Sequence, residues 1–148
     1  MIKIREMNAD DVPEVMKIER ASFSEPWAEV HFYFELYTKT SNNWVVEDDK
    51  ELCGYICFWK IADELHINNI AVKESRHRQG MAQKMLDKLS GFAKKNKASM
   101  MTLEVSEHNM KAQSFYKKNG FEQVGIRPKY YERDQADALI LTKQLETK

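Results

Sequence analysis

Ile70-Ala71-Val72 leads within a few residues into Arg76-His77-Arg78-Gln79-Gly80-Met81-Ala82. An apolar, β-branched strand end thus passes through a basic turn with one glycine and opens a helix. The first N–H groups of a helix have no partner inside it, and with the positive end of the helix dipole they form a site for an anion such as a phosphate. Gly80 carries no Cβ to hold an anion off, and Ala82 adds only a methyl group. Taken alone, such a turn often does no more than solvate charge, so its weight comes from the residues downstream.

Apolar residues recur at Ala82, Met85, Leu86, Leu89, Phe92 and Ala93, with Lys84, Asp87, Lys88, Lys94 and Lys95 between them. That spacing predicts a helix from the turn to about Asn96, with one face packed. Ser99-Met100-Met101-Thr102-Leu103-Glu104-Val105 then reads as a strand carrying one carboxylate near its end. Glu104 alternates with Leu103 and Val105, so it faces the opposite side of the sheet from them. Asn109 is a competent N-cap for a helix through Ala112, Phe115 and Tyr116 to Asn119, and Gly120 suits a left-handed stop.

The N-terminal half fills in the frame. Ile2 to Glu6 reads as a strand, and Asn8 or Asp10 caps a helix whose Val12, Val15, Met16 and Phe23 form a buried side. Ser24-Glu25-Pro26-Trp27 breaks it, and a second helix runs from about Ala28 to Leu36. Strands over Asn43 to Asp48, Cys53 to Ile61 and Glu64 to Val72 meet at turns over Asp49-Lys50 and Ala62-Asp63, the pattern of an antiparallel meander. Strands after Gly120 and over Ala138 to Leu145 complete the order β-α-α-β-β-β-α-β-α-β-β. The expected fold is α/β (α+β), a mixed, mostly antiparallel central sheet flanked by helices.

Bulk properties narrow the classes. The chain has 148 residues with 43% hydrophobic content, enough for one core and one domain over 1–148. Balanced charge, 23 basic against 23 acidic residues, argues against direct nucleic-acid binding, which needs clustered positive charge. No apolar run approaches the roughly 20 residues that span a bilayer, and the N-terminus has no basic-then-apolar leader, so no membrane partner and a cytoplasmic location are expected. Cys53 and Cys57 lie about 13 Å apart along one strand, beyond disulfide reach. His31, His66, His77 and His108 are scattered, and no metal is expected.

The basic turn His77-x-x-Gly80-x-Ala82 opening a helix, Leu103-Glu104-Val105, and Asn109-x-x-Ala112-x-x-Phe115-Tyr116-x-x-x-Gly120-Phe121 together resemble the GCN5-related N-acetyltransferases (GNAT). Pro26-Trp27, Asn69-Ile70-Ala71-Val72 and Tyr130-Tyr131 ahead of Asp137-Ala138 resemble, within them, the RimI-type ribosomal-protein alanine N-acetyltransferases. One departure is His77, which stands where the family has Gln or Arg. The resemblance implies acetyl-CoA as cosubstrate, with the backbone from Arg78 through Gln79, Gly80, Met81 and Ala82 to Gln83 on its pyrophosphate. Ile70, Ala71 and Val72 would offer strand-edge groups to the pantetheine arm and the oxyanion, and Asn109 a further contact. Acetyl transfer needs a base for the amine and an acid for the leaving thiolate. The resemblance assigns these to Glu104 and Tyr116, and an acceptor groove to Trp27, Tyr130 and Tyr131.

Taken without that resemblance, Glu104 is an ordinary strand-end carboxylate, Tyr116 a core aromatic and Trp27 a staple between helix and sheet. The implied partner is a protein N-terminus, that of a ribosomal protein, met by a monomer or weak oligomer. Two alternatives stand beside it: an acetyltransferase of small amines or lysine side chains with its base at Glu64 or His66, and a non-catalytic acyl-CoA-binding module. A module of that kind has no use for Glu104 and Tyr116.

Overall fold

β-Branched and aromatic residues on either side of two tight turns build the predicted meander. In the computed structural model, which describes residues 1–131 and 135–145, β1 (Ile2–Glu6), β2 (Ser41–Asp48), β3 (Glu51–Ile61) and β4 (Glu64–Val72) pair antiparallel in succession. Asp49 and Lys50 adopt φ of 48° and 74°, the left-handed pair that lets a two-residue loop follow the twist of its strands. β2 and β3 begin two residues earlier than the apolar pattern marks them, because Ser41-Asn42 and Glu51-Leu52 join the ladder through their backbones.

β5 (Met100–Ser106), β6 (Glu122–Tyr131) and β7 (Ala136–Gln144) extend the sheet in the order β1-β2-β3-β4-β5-β7-β6. β4 and β5 run parallel, and the other neighbours antiparallel. The strand-helix order and the mixed, mostly antiparallel sheet are those expected.

The parallel pairing joins Glu64–Ile67 to Met100–Leu103 and goes no further. The cause lies one strand over. Cys57 faces Asn69 while Phe58 faces Ile67, so Asn68 is an extra residue, a bulge. A bulge bends its strand, and β4 turns away from β5 from that point on. The sheet therefore forks, with Ile70, Ala71 and Val72 on one prong and Glu104, Val105 and Ser106 on the other.

Helices cover both faces. α3 (Met81–Lys95) and α4 (Met110–Lys118) bury Met85, Leu89 and Tyr116 against Val46, Ile56, Phe58, Leu65 and Leu103. α1 (Val12–Ser22) and α2 (Glu29–Leu36) bury Val12, Val15, Ile18 and Phe32 against Val45, Tyr55 and Cys57. α1 follows one 3-10 turn over Ala9–Asp11, closed by a capping box between Asn8 and Asp11. Phe23 departs from expectation: it caps α1 at φ −130°, outside the helix, and is only half-buried.

Both cysteines are buried and free, on opposite faces of the sheet. Strand alternation would put residues four apart on the same face. The register shift between Val46 and Glu47 leaves Cys53 without an opposite number and turns it over.

Candidate active site

The turn from β4 into α3 is a backbone cradle. Arg78 and Gly80 take φ of 66° and 75°, an alternation that turns successive N–H groups toward one side. Lys84 is the first N–H of α3 to find an acceptor, the carbonyl of Gly80 at 3.0 Å. The N–H groups of Arg78, Gln79, Gly80, Met81, Ala82 and Gln83 make no hydrogen bond among the described residues. A Cβ built on Gly80 meets nothing within 4 Å. Glycine is therefore favoured there by its positive φ and by the open space in front of it, not by contact with the protein.

The basic side chains of the turn serve it differently from the simple picture of phosphate ligands. Arg76 is engaged by Asp48 at 3.0 Å and Glu51 at 2.6 Å, and Lys73 by Glu51 at 3.1 Å. Arg76 first, then Lys73, holds the Glu51 carboxyl down at about 2. His77 turns its Nε2 back to the Val72 carbonyl at 2.7 Å. These contacts moor the turn to the β2–β3 hairpin, while Arg78 makes none of them and lines the cleft.

A cleft of about 1690 Å³ runs from this cradle into the fork. Of the predicted cofactor residues, Ile70, Ala71, Val72, Arg78, Gly80, Met81, Ala82, Gln83 and Asn109 line it. Gln79 does not; its side chain accepts from Arg76 at 3.4 Å, and only its N–H joins the cradle. Asn109 is also the N-cap of α4, accepting from the Ala112 N–H at 3.1 Å, so both roles read from the sequence fall to one side chain. Phe23, Lys17, Lys111 and Lys118 line the cleft as well. Sequence reasoning missed them because α1 gave no sign of facing α4 across the fork. A cradle of free N–H groups at one end and a strand edge without a strand partner at the other fit a diphosphate joined to an amide-bearing arm, the chemistry of acetyl-CoA.

Tyr116 is 5% exposed and lines the same cleft. Its hydroxyl has no partner among the described residues, yet it is not sealed from solvent. Burial raises its pKa, so the proton stays on the oxygen at neutral pH.

Glu104 is the first β5 residue past the last parallel pair, at the mouth of the fork. It is not among the residues that line the cleft, and its Oε1 accepts from Arg127 at 2.6 Å. Arg127 pairs with Ala138 and Glu104 with Ile140, so the guanidinium reaches diagonally over β7 past a methyl group. Burial, then Tyr130, Glu104 and Glu25, push the Tyr131 hydroxyl up to about 12. The Tyr130 and Tyr131 rings meet at 5.1 Å and the Arg127 guanidinium lies 5.3 Å from the Tyr130 ring, so both tyrosines stand beside the Arg127–Glu104 pair. Trp27 is half-buried, its ring stacked on His31 at 3.8 Å and tilted against Phe32 at 5.1 Å. It does staple α2. Glu64 and His66 bond each other at 2.9 Å where β4 is still paired to β5. His66 is about 13 Å of strand away from Ile70.

Comparison with known proteins agrees with this geometry. The pattern of the acetyltransferase (GNAT) family matches residues 12–121. A Bacillus subtilis (strain 168) protein, provisionally named a ribosomal protein bS18-alanine N-acetyltransferase, is 35% identical over 139 residues, covering 93% of this chain and 92% of its own. The Escherichia coli (strain K12) ribosomal protein bS18-alanine N-acetyltransferase is 27% identical over 95% of this chain and 96% of its own. The crystal structure of the ribosomal-protein-S18-alanine N-acetyltransferase from Escherichia coli superposes with a TM-score of 0.92 at 25% identity, over 100% of this chain and 96% of that one. The cradle, the forked sheet and these matches have one common meaning: the chain belongs to the acetyltransferase (GNAT) family.

Proposed function

We propose that this chain, acting as one domain and as a monomer or weak oligomer, moves the acetyl group of acetyl-CoA to the N-terminal α-amino group of a protein, an alanine on a small-subunit ribosomal protein. The observation that carries the reading is the position of Glu104: a carboxylate on the first β5 residue past the parallel pairing, where the two strands part, with Ile70–Val72 and Tyr116 on the wall of the cleft. The relatives named above, two of them acting by name on bS18 alanine, supply the acceptor class.

Bound acetyl-CoA supplies an activated thioester. The backbone N–H groups of Arg78 to Gln83 bind its diphosphate, and the β4 edge at Ile70–Val72 aligns the pantetheine arm and donates to the carbonyl oxygen as charge builds there. Glu104 takes the proton of the incoming ammonium, which displaces Arg127 as its partner. Tyr116 donates its proton toward the departing sulfur. Glu25, Tyr130, Tyr131 and the Trp27 loop line the approach of the first acceptor residues. An α-amino group of pKa near 8 is about 3 kcal/mol easier to deprotonate than a lysine near 10.4, which suits a carboxylate base. Such an acceptor places the reaction in the cytoplasm.

The test sets a short alanine-initiated ribosomal peptide against the same peptide with a blocked N-terminus and free lysines, and against spermidine. The free α-amine is expected to give the highest kcat/KM. Equal or faster acetylation of the blocked peptide or of spermidine would overturn the proposal.

A further inference from the structure

Glu19, near the end of α1, is 1% exposed and has no part in the chemistry above. Its Oε1 accepts from the Tyr55 hydroxyl on β3 and from Asn69 Nδ2 on β4 at 2.7 Å. Its Oε2 accepts from the backbone N–H of Trp27 at 2.8 Å. Packing alone asks for no carboxylate here, since Val12, Val15, Met16 and Ile18 hold α1 to the sheet, and burying a charged group is unfavourable unless its oxygens are bonded. What a carboxylate adds is two accepting atoms that gather three donors from three separate segments.

Two of those segments carry the reaction. Asn69 follows the bulge at Asn68, on the β4 edge that β5 no longer covers, and precedes Ile70. Trp27 lies in the loop that the functional reading above sets along the approach of the acceptor. A second buried carboxylate steadies the far side of that loop: Glu35, 1% exposed, accepts from Trp59 Nε1 at 3.0 Å and lies 3.6 Å from Nε2 of His31, on which the Trp27 ring stacks. The Trp27 ring is thus held from α2, while its backbone N–H is held by Glu19.

We infer that Glu19 is a positioning residue that fixes the acceptor loop, residues 23–28, against the acetyl-donor strand at Asn69, and so sets the distance between acceptor and thioester. The inference rests on the α-amine acetyltransferase reading. A glutamine at this position has one accepting atom in place of two. Its NH₂ group then faces either the Trp27 N–H or the Asn69 amide, and the loop loses its register with the strand.

Glu19→Gln is expected to raise KM for the alanine-initiated peptide about tenfold or more while kcat stays within about threefold and acetyl-CoA affinity by calorimetry within about twofold. Amide exchange at Trp27 should accelerate about tenfold, with exchange in β3 unchanged. The double variant Glu19→Gln with Asn69→Asp moves the carboxylate across the pair: the glutamine NH₂ donates to residue 69 and its carbonyl returns to the Trp27 N–H. Peptide KM should recover toward wild type, which a general loss of stability would not allow. A peptide KM unchanged by Glu19→Gln, or an equal loss of acetyl-CoA affinity, overturns the inference. If Glu19→Gln does not fold, Glu19→Asp, which keeps both acceptors but draws them back one methylene, decides by the same split. Failure of the wild-type enzyme on every α-amine peptide counts against the functional reading; unaltered Trp27 exchange in Glu19→Gln counts against this inference alone.

Discussion

At the scale of single residues, the candidate chemistry divides between a carboxylate that is partnered and a phenol that is not. Glu104 was legible because it is the only charged side chain in Met100–Ser106, and strand alternation fixed the face it takes. Arg127 was not legible: the two lie 23 positions apart, and only the insertion of β7 between β5 and β6 brings them together. Glu104→Gln is expected to lower kcat by roughly 10²–10⁴-fold, the usual worth of a positioned base, while calorimetry shows acetyl-CoA bound as in wild type. A smaller loss would move the base elsewhere. Tyr116→Phe leaves the buried ring in place and removes only the hydroxyl facing the cleft. It should therefore lower kcat with little change in thermal stability or peptide affinity; a large fall in Tm instead would make Tyr116 a core residue and nothing more.

At the scale of elements, the two expectations that held best were those set by local chemistry. The Gly80 turn and the Asn109 cap each depend on a few adjacent residues and could be read directly. The fork could not, because it follows from a bulge at Asn68 that appears only in the register of β3 against β4; the same kind of register shift sends Cys53 and Cys57 to opposite faces. Gly80→Glu, which forces a side chain onto φ 75° and a negative charge into the cradle, should abolish the thermal shift given by acetyl-CoA. A retained shift would place the diphosphate elsewhere. The mooring of the turn carries its own pH signature. The Glu51 carboxyl sits at about 2 in the fold against 4.5 when free, so its contribution is complete above 4.5 and disappears as pH falls toward 2. Arg76→Gln should lower Tm near neutrality by a small, salt-sensitive amount and leave it close to wild type at about pH 2.5. A gap that persists at low pH would show that Arg76 acts by packing and not by charge.

At the scale of the whole molecule, the cleft lies where the two hydrophobic cores meet. β4 belongs to both, with Ile70 and Val72 packed on the α3–α4 side and Ala71 on the α1–α2 side. A ligand lying along β4 and ending on the first turn of α3 therefore ties both layers to one strand, and its binding free energy adds to the cooperative stability of the chain. At about 100-fold over its Kd a ligand contributes about 2.7 kcal/mol, which for a domain of this size raises Tm by roughly 5–10 °C. Acetyl-CoA should do this, and a truncated acetyl-pantetheine at the same concentration should do much less, because it reaches the β4 edge but leaves the N–H groups of Arg78 to Gln83 without an anion. The comparison separates the two halves of the cleft in one calorimetric experiment. If the truncated donor matches acetyl-CoA, the cradle contributes nothing to binding and the six free N–H groups are there only to face water. If neither shifts Tm, the cleft is not the donor site, and the match between this fork and an acetyl donor fails at its first requirement.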